Sequence, residues 1–157
     1  LKKGYIYSLA IVFLVNLILI FLVDLFTIKM SPSGHISGNG NLGIILWFFE
    51  IPLFLVFLLL FIFWKNIKFI NFISSGYTLG VDVILLIVTI RLQYVFANGI
   101  YTKIAGKIDT YGTVNQYTNT IFINYYTFFI GVISTLFIMG VFWKINKRQD
   151  RLSNLTS

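Results

Sequence analysis

The 157-residue chain contains no cysteine, two prolines, one histidine and only five acidic residues. The missing cysteine excludes a disulfide, a thiolate metal site or an iron–sulfur cluster built by this chain. A lone His35, in a stretch rich in Gly and Ser, is too little for a haem or zinc site, which takes several His or Cys ligands. No cofactor and no metal is therefore expected. Charged residues make up 11% of the chain, less than half of the roughly 25% usual in soluble domains. Hydrophobic residues make up 58%, in long blocks, with a mean hydropathy of +0.89. That is the makeup of an integral membrane protein, with no room for a separate soluble domain.

The net charge of +7 raises the question of nucleic acid, and the placement of the charges answers it. Lys2, Lys3, Lys65, Lys68, Lys144, Lys147, Arg148 and Arg151 fall at the two ends and in the middle connection. Lys29, Lys103 and Lys107 fall in the other two connections. Such a split is the asymmetry of the positive-inside rule. The basic excess reads as a topology signal, with attraction to anionic lipid as a second effect. Nucleic acid is not an expected partner; the lipid bilayer and other membrane subunits are.

Four apolar runs are long enough for a bilayer core, which needs about 20 helical residues. They cover residues 5–28, 44–64, 69–97 and 121–143. Backbone groups in lipid must be paired within their own segment, so helices are the expected form. The predicted fold class is an all-α integral membrane protein. Its four transmembrane helices form an antiparallel up-down bundle with both termini cytoplasmic, and the whole chain is one domain. Segments 29–43 and 98–120 become external loops, and 65–68 a tight cytoplasmic turn. The first run is too long for the core of a signal peptide and lacks a small-residue cleavage site, so a retained span is expected there. The expected location is the cell membrane, multi-pass. An aromatic fraction of 18% fits interfacial belts, with Trp64, Trp143, Tyr5 and Tyr7 on the inner side. Trp47, Tyr94, Tyr101, Tyr117, Tyr125 and Tyr126 fall on the outer side.

The third run is overlong and interrupted by SSGYTLG, which predicts a tilt, a kink or an interfacial first segment. Gly76 and Gly80 make a GxxxG, and Gly131 with Thr135 a small-xxx-small pair, both suited to close helix approach.

Three of the five acids lie inside the apolar runs: Asp24, Glu50 and Asp82. Arg91 shares the third run with Asp82. A charge at the centre of a membrane helix costs roughly 2.5–3.5 kcal/mol on insertion scales, so these groups are expected to face protein, water or one another. Counting rise per residue, Asp24 lies about 6 Å, Glu50 about 9 Å and Arg91 about 10 Å from the outer ends of their runs. Asn124 is shallower on the same side, while Asp82 and Asn16 are central. The alignment predicts Arg91 with Glu50 and Asp24, since a guanidinium fork can bond two carboxylates. It also predicts an Asp82–Asn16 contact. Such pairs either fix helix register or line an ion path. Pro52, two residues after Glu50, is expected to free a carbonyl near that carboxylate.

In layout the chain resembles lipoprotein signal peptidases, four-span proteins with both ends inside. Asp24 and Asn41-Leu42-Gly43 are similar to residues of that family. At the two positions of the family's catalytic aspartates this chain carries Asn98-Gly99-Ile100-Tyr101 and Asn124-Tyr125-Tyr126-Thr127. The paired carboxylates that share a proton in such chemistry are thus missing, and the activity does not carry over. P-loop, GxSxG and HExxH signatures are absent as well. The expected function is a non-catalytic membrane subunit of a larger complex, with a respiratory or other energy-converting assembly as the preferred example. A small ion- or proton-coupled transporter or channel acting as a homo-oligomer is the first alternative. An intramembrane enzyme using Asp24 and Glu50 is the second.

Overall fold

The structure, a computed structural model, describes residues 2–29, 41–64, 66–104 and 113–156. His35, Lys65, Lys107 and the stretches 30–40 and 105–112 of the two expected external loops lie outside the described residues. Within them the chain is all-helical, with 87% of residues in helices and no strand. The helices are α1 (Lys2–Phe26), α2 (Leu42–Ile62), α3 (Ile67–Ile73), α4 (Gly76–Ile104), α5 (Asn119–Phe122) and α6 (Tyr125–Thr156). Four of them, α1, α2, α4 and α6, are long and apolar enough to cross a membrane.

Short polar residues set the helix starts. The Asn41 side chain accepts the Ile44 N–H at 3.2 Å, and Asn66 accepts Phe69 N–H at the same distance. Ser75 Oγ accepts the Thr78 N–H at 3.1 Å. Asn124 Oδ1 takes both Tyr126 N–H at 2.8 Å and Thr127 N–H at 3.1 Å. Each satisfies a donor that a helix start leaves orphaned. The pair Ser74-Ser75 splits the expected third span: α3 stops at Ile73 and α4 starts afresh at Gly76. α4 then continues to Ile104, seven residues past the expected boundary at 97.

α1 and α2 pack along their length. Tyr5 Oη donates to the Leu60 carbonyl, and the Phe13 and Phe57 rings lie 5.7 Å apart. Phe128 of α6 completes an aromatic knot with Phe13 at 5.6 Å and Phe54 at 5.2 Å. Ile20, Val23 and Ile123 close the core around it. On the other side of the bundle α6 carries α4 and α3. Only 6% of the apolar window of α4 is buried within the chain, against 17% for α1 and α2. α4 is therefore the outermost long helix.

The stretch 113–124, expected as the end of an external loop, is instead the most enclosed polar segment of the described chain. Tyr117, Thr118, Asn119, Thr120, Ile121, Ile123 and Asn124 are all buried. Ile28 N–H donates to the Gln116 carbonyl at 3.0 Å, Gln93 Nε2 to the Ile121 carbonyl at 2.7 Å, and Trp47 meets Phe122 edge-on at 5.6 Å. The segment fills the space between the ends of α1, α2 and α4.

The close helix contacts do not use Gly76 and Gly80. A Cβ on Gly80 would meet nothing within 4 Å, and one on Gly76 only the Lys144 ammonium at 3.8 Å. At Gly140 a Cβ would fall 2.6 Å from the Ile73 carbonyl oxygen, and at Gly131 it would fall 2.5 Å from the Phe54 ring. Backbone cannot yield as a ring edge can. Gly140→Ala should therefore destabilise the bundle by about 1–3 kcal/mol through overpacking, while Gly80→Ala leaves it unchanged or slightly firmer. Thermal unfolding of the two variants in detergent reads the difference.

Candidate functional site

Helix periodicity sorts the polar groups of the spans inward or outward. On α4, Thr78 and Asp82 are one turn apart and buried, and Gln93 returns to nearly the same face. Arg91 is nine residues from Asp82, which at about 100° per residue turns it to the opposite side. Accordingly Arg91 is exposed, flanked on the outer face by exposed Ile84, Ile87, Val88, Tyr94 and Val95. Its guanidinium lies 5.5 Å over the Tyr94 ring.

The expected cluster of Arg91 with Glu50 and Asp24 does not form. Glu50 is 5% exposed and faces the core on α2, and no ion pair reaches it among the described residues. Asp24 is instead half exposed and paired with Lys29 at 3.6 Å. Depth alone suggested the cluster; azimuth separates its members. Arg91 also sits deeper than expected, because α4 runs on to Ile104: about 20 Å from that end and about 22 Å from Gly76. Tyr94 lies about one turn nearer Ile104 than Arg91 does. Asp24 and Glu50 thus differ in surroundings, the first half exposed beside Lys29 and the second buried.

Asn16 is fully buried and donates from Nδ2 to the Val12 carbonyl at 2.7 Å. Asn16 Oδ1 and Asp82 Oδ2 each lack a hydrogen-bond partner among the described residues, as do Trp47 Nε1 and Gln93 Oε1. No hydrogen bond joins Asn16 to Asp82. Pro52 is exposed, as is Phe48 whose carbonyl it deprives of a donor. Both lie on the side of α2 away from Glu50, so the freed carbonyl is not beside the carboxylate.

Asn124 is buried and caps the start of α6. Beyond its two accepted bonds, its Nδ2 donates to the Thr120 carbonyl at 2.7 Å. Sequence reasoning missed the role of Asn119, which is fully buried. Its amide and that of Asn41 bond each other reciprocally, one bond at 3.2 Å. Gly43 leaves room for this pair: a Cβ there would strike the Asn119 side chain. An Asn just ahead of an apolar run is a capping signal, which would have marked Asn41 and Asn124 but not Asn119.

A second polar feature is a cavity of about 330 Å³ between the last turns of α1 and α4 and the 113–124 segment. Asp24, Lys29, Lys103 and Thr120 line it together with Phe96 and Ile100. Among the described residues no group of three or more His, Cys, Asp and Glu side chains is placed to hold a metal.

Comparison with protein-family models, curated proteins and solved structures finds no match to this chain.

Removing the Asn119 amide leaves Asn41 Nδ2 without its acceptor, while Asn41 Oδ1 keeps the Ile44 N–H, a loss of about 1–3 kcal/mol. Asn119→Ala should lower the unfolding temperature accordingly. Thr102→Ala, whose exposed hydroxyl bonds only within its own helix, should not. Tryptophan emission from Trp47 beside the segment follows both.

Proposed function

We propose that this chain is a non-catalytic membrane subunit held in a larger assembly through the Arg91 face of α4. One observation carries this reading: an arginine stands at mid-helix on the outer side of the most peripheral span. The hydrocarbon core is about 30 Å thick, and α4 has 29 residues, about 43 Å of helix. With α4 centred on that core, Arg91 stands about 14 Å or more from either surface, too far for its stem to lift the guanidinium into water. The cost of such a charge is roughly 2.5–3.5 kcal/mol. Stacking on Tyr94 returns about 0.5–2 kcal/mol. The remainder is offset if a neighbouring membrane helix presents a carboxylate to the guanidinium. The apolar residues around Arg91 then supply the packing surface.

In this reading the spans alternate in direction, with both termini on the cytoplasmic side of the cell membrane. The Tyr5–Leu60 and Asn41–Asn119 contacts support the alternation. The crowding of basic residues at the ends and in the middle connection supports the sidedness.

A homo-oligomeric ion or proton path is the second reading, favoured by the unpartnered Asp82 Oδ2 inside the span. The two readings separate on extraction in mild detergent. The subunit reading expects a large assembly containing other chains, and expects Arg91→Leu to release an 18.1 kDa species that still inserts and remains helical. An assembly of this chain alone, or one indifferent to Arg91→Leu, overturns it.

A further inference from the structure

From the cavity at the ends of α1 and α4 we infer that the chain binds the phosphate group of an anionic amphiphile, with the headgroup in the cavity and the hydrocarbon against α4. The volume, about 330 Å³, lies at the small end of ligand sites, which run from about 300 to 1,000 Å³. It suits a headgroup and not a whole lipid. Two lysines, Lys29 and Lys103, line it with a single acidic residue, Asp24, so its lining residues carry one net positive charge.

The Lys29–Asp24 pair does not consume that charge. At 3.6 Å, with side chains 78% and 50% exposed, it belongs to a class of contact worth about 0–1 kcal/mol. A phosphate oxygen can take Lys29 from Asp24 at little cost. Among the described residues Lys103 has no ion-pair partner. Position in the last turn of α4 also suits Lys103 to the helix dipole, but that role needs no second lysine and no cavity. Ile100 and Phe96 line the same space one and two turns back along α4. They supply the apolar wall along which an acyl chain leaves toward the bilayer. Position, charge and wall together distinguish the site from a general basic surface. It lies at the helix ends, where lipid phosphates are found, and both lysines line one half-open cavity. The inference does not depend on Arg91 or on any partner chain.

The test uses the full chain purified in a neutral detergent, with bound lipid counted by native mass spectrometry. Phosphatidylglycerol, phosphatidylcholine and inorganic phosphate are offered separately. Retention of phosphatidylglycerol over phosphatidylcholine is expected. Each of Lys29→Gln and Lys103→Gln should weaken it about fivefold, the effect of one lysine near a charged headgroup. Lys147→Gln, on the polar tail of α6, should have no effect. Asp24→Asn should tighten binding by removing the competing carboxylate; a purely structural ion pair would give only a loss of stability. Binding of inorganic phosphate with the same lysine dependence, and without lipid selectivity, would assign the site to a soluble phosphate in place of a lipid one. Equal retention of both lipids together with no phosphate binding overturns the inference. So does anion binding untouched by both lysine variants.

Discussion

Hydrocarbon offers no hydrogen bonds and little dielectric screening, and this one fact organises the molecule. Every polar group in the four spans must find protein, reach an interface or carry a cost of several kcal/mol. Glu50, Asn16, Thr78 and Asp82 turn inward and are buried. Asn124 is buried as well; its Oδ1 caps the start of α6 and its Nδ2 donates back to the Thr120 carbonyl. Among the described residues Arg91 is the one charged side chain near mid-helix in the apolar spans that faces out. Because the rest obey the rule, that exception becomes informative about what surrounds the chain.

The same rule explains the 113–124 segment. Irregular backbone is tolerated at membrane depth only where protein encloses it. Here enclosure comes with nearly complete local bonding. Thr118 Oγ1 accepts the Asn115 N–H at 2.9 Å and donates to the Thr113 carbonyl at 2.8 Å. Asn115 Oδ1 takes the Tyr117 N–H at 2.8 Å. The Asn41–Asn119 pair and the Gln93 bond fasten the result to α2 and α4. A polar plug of this kind fixes the helix ends relative to one another, and the cavity with Lys29 and Lys103 is the space left beside it.

How much of this was legible beforehand depended on the range of the interaction. Apolar run length reveals α1 and α2 almost to their ends, because the bilayer sets that length locally; it reveals only the apolar part of α6, which continues as a helix to Thr156. The break at Ser74-Ser75 was visible as a composition change. The extent of α4 was not, since NGIYTKI reads as turn residues and β-formers while tertiary contacts with the plug keep it helical to Ile104. That displacement moved Arg91 from the outer half of its span to the middle. Counting depth placed Arg91, Glu50 and Asp24 at one level. Depth is only one coordinate, however, and rotation about each helix axis put the three on different faces.

The sequence by itself determined that the chain is helical and apolar enough to cross a membrane four times, and which few charges lie within those crossings. Run length, composition and the cost of unpaired backbone in lipid suffice for that. Only the tertiary structure decided which charges face in, that Gly140 and not Gly80 admits a neighbouring backbone, and that Asn119 meets Asn41 across 78 positions. Those outcomes depend on the azimuth and stagger of packed helices. Both are set by side-chain interdigitation between segments distant in the chain, which no local pattern records.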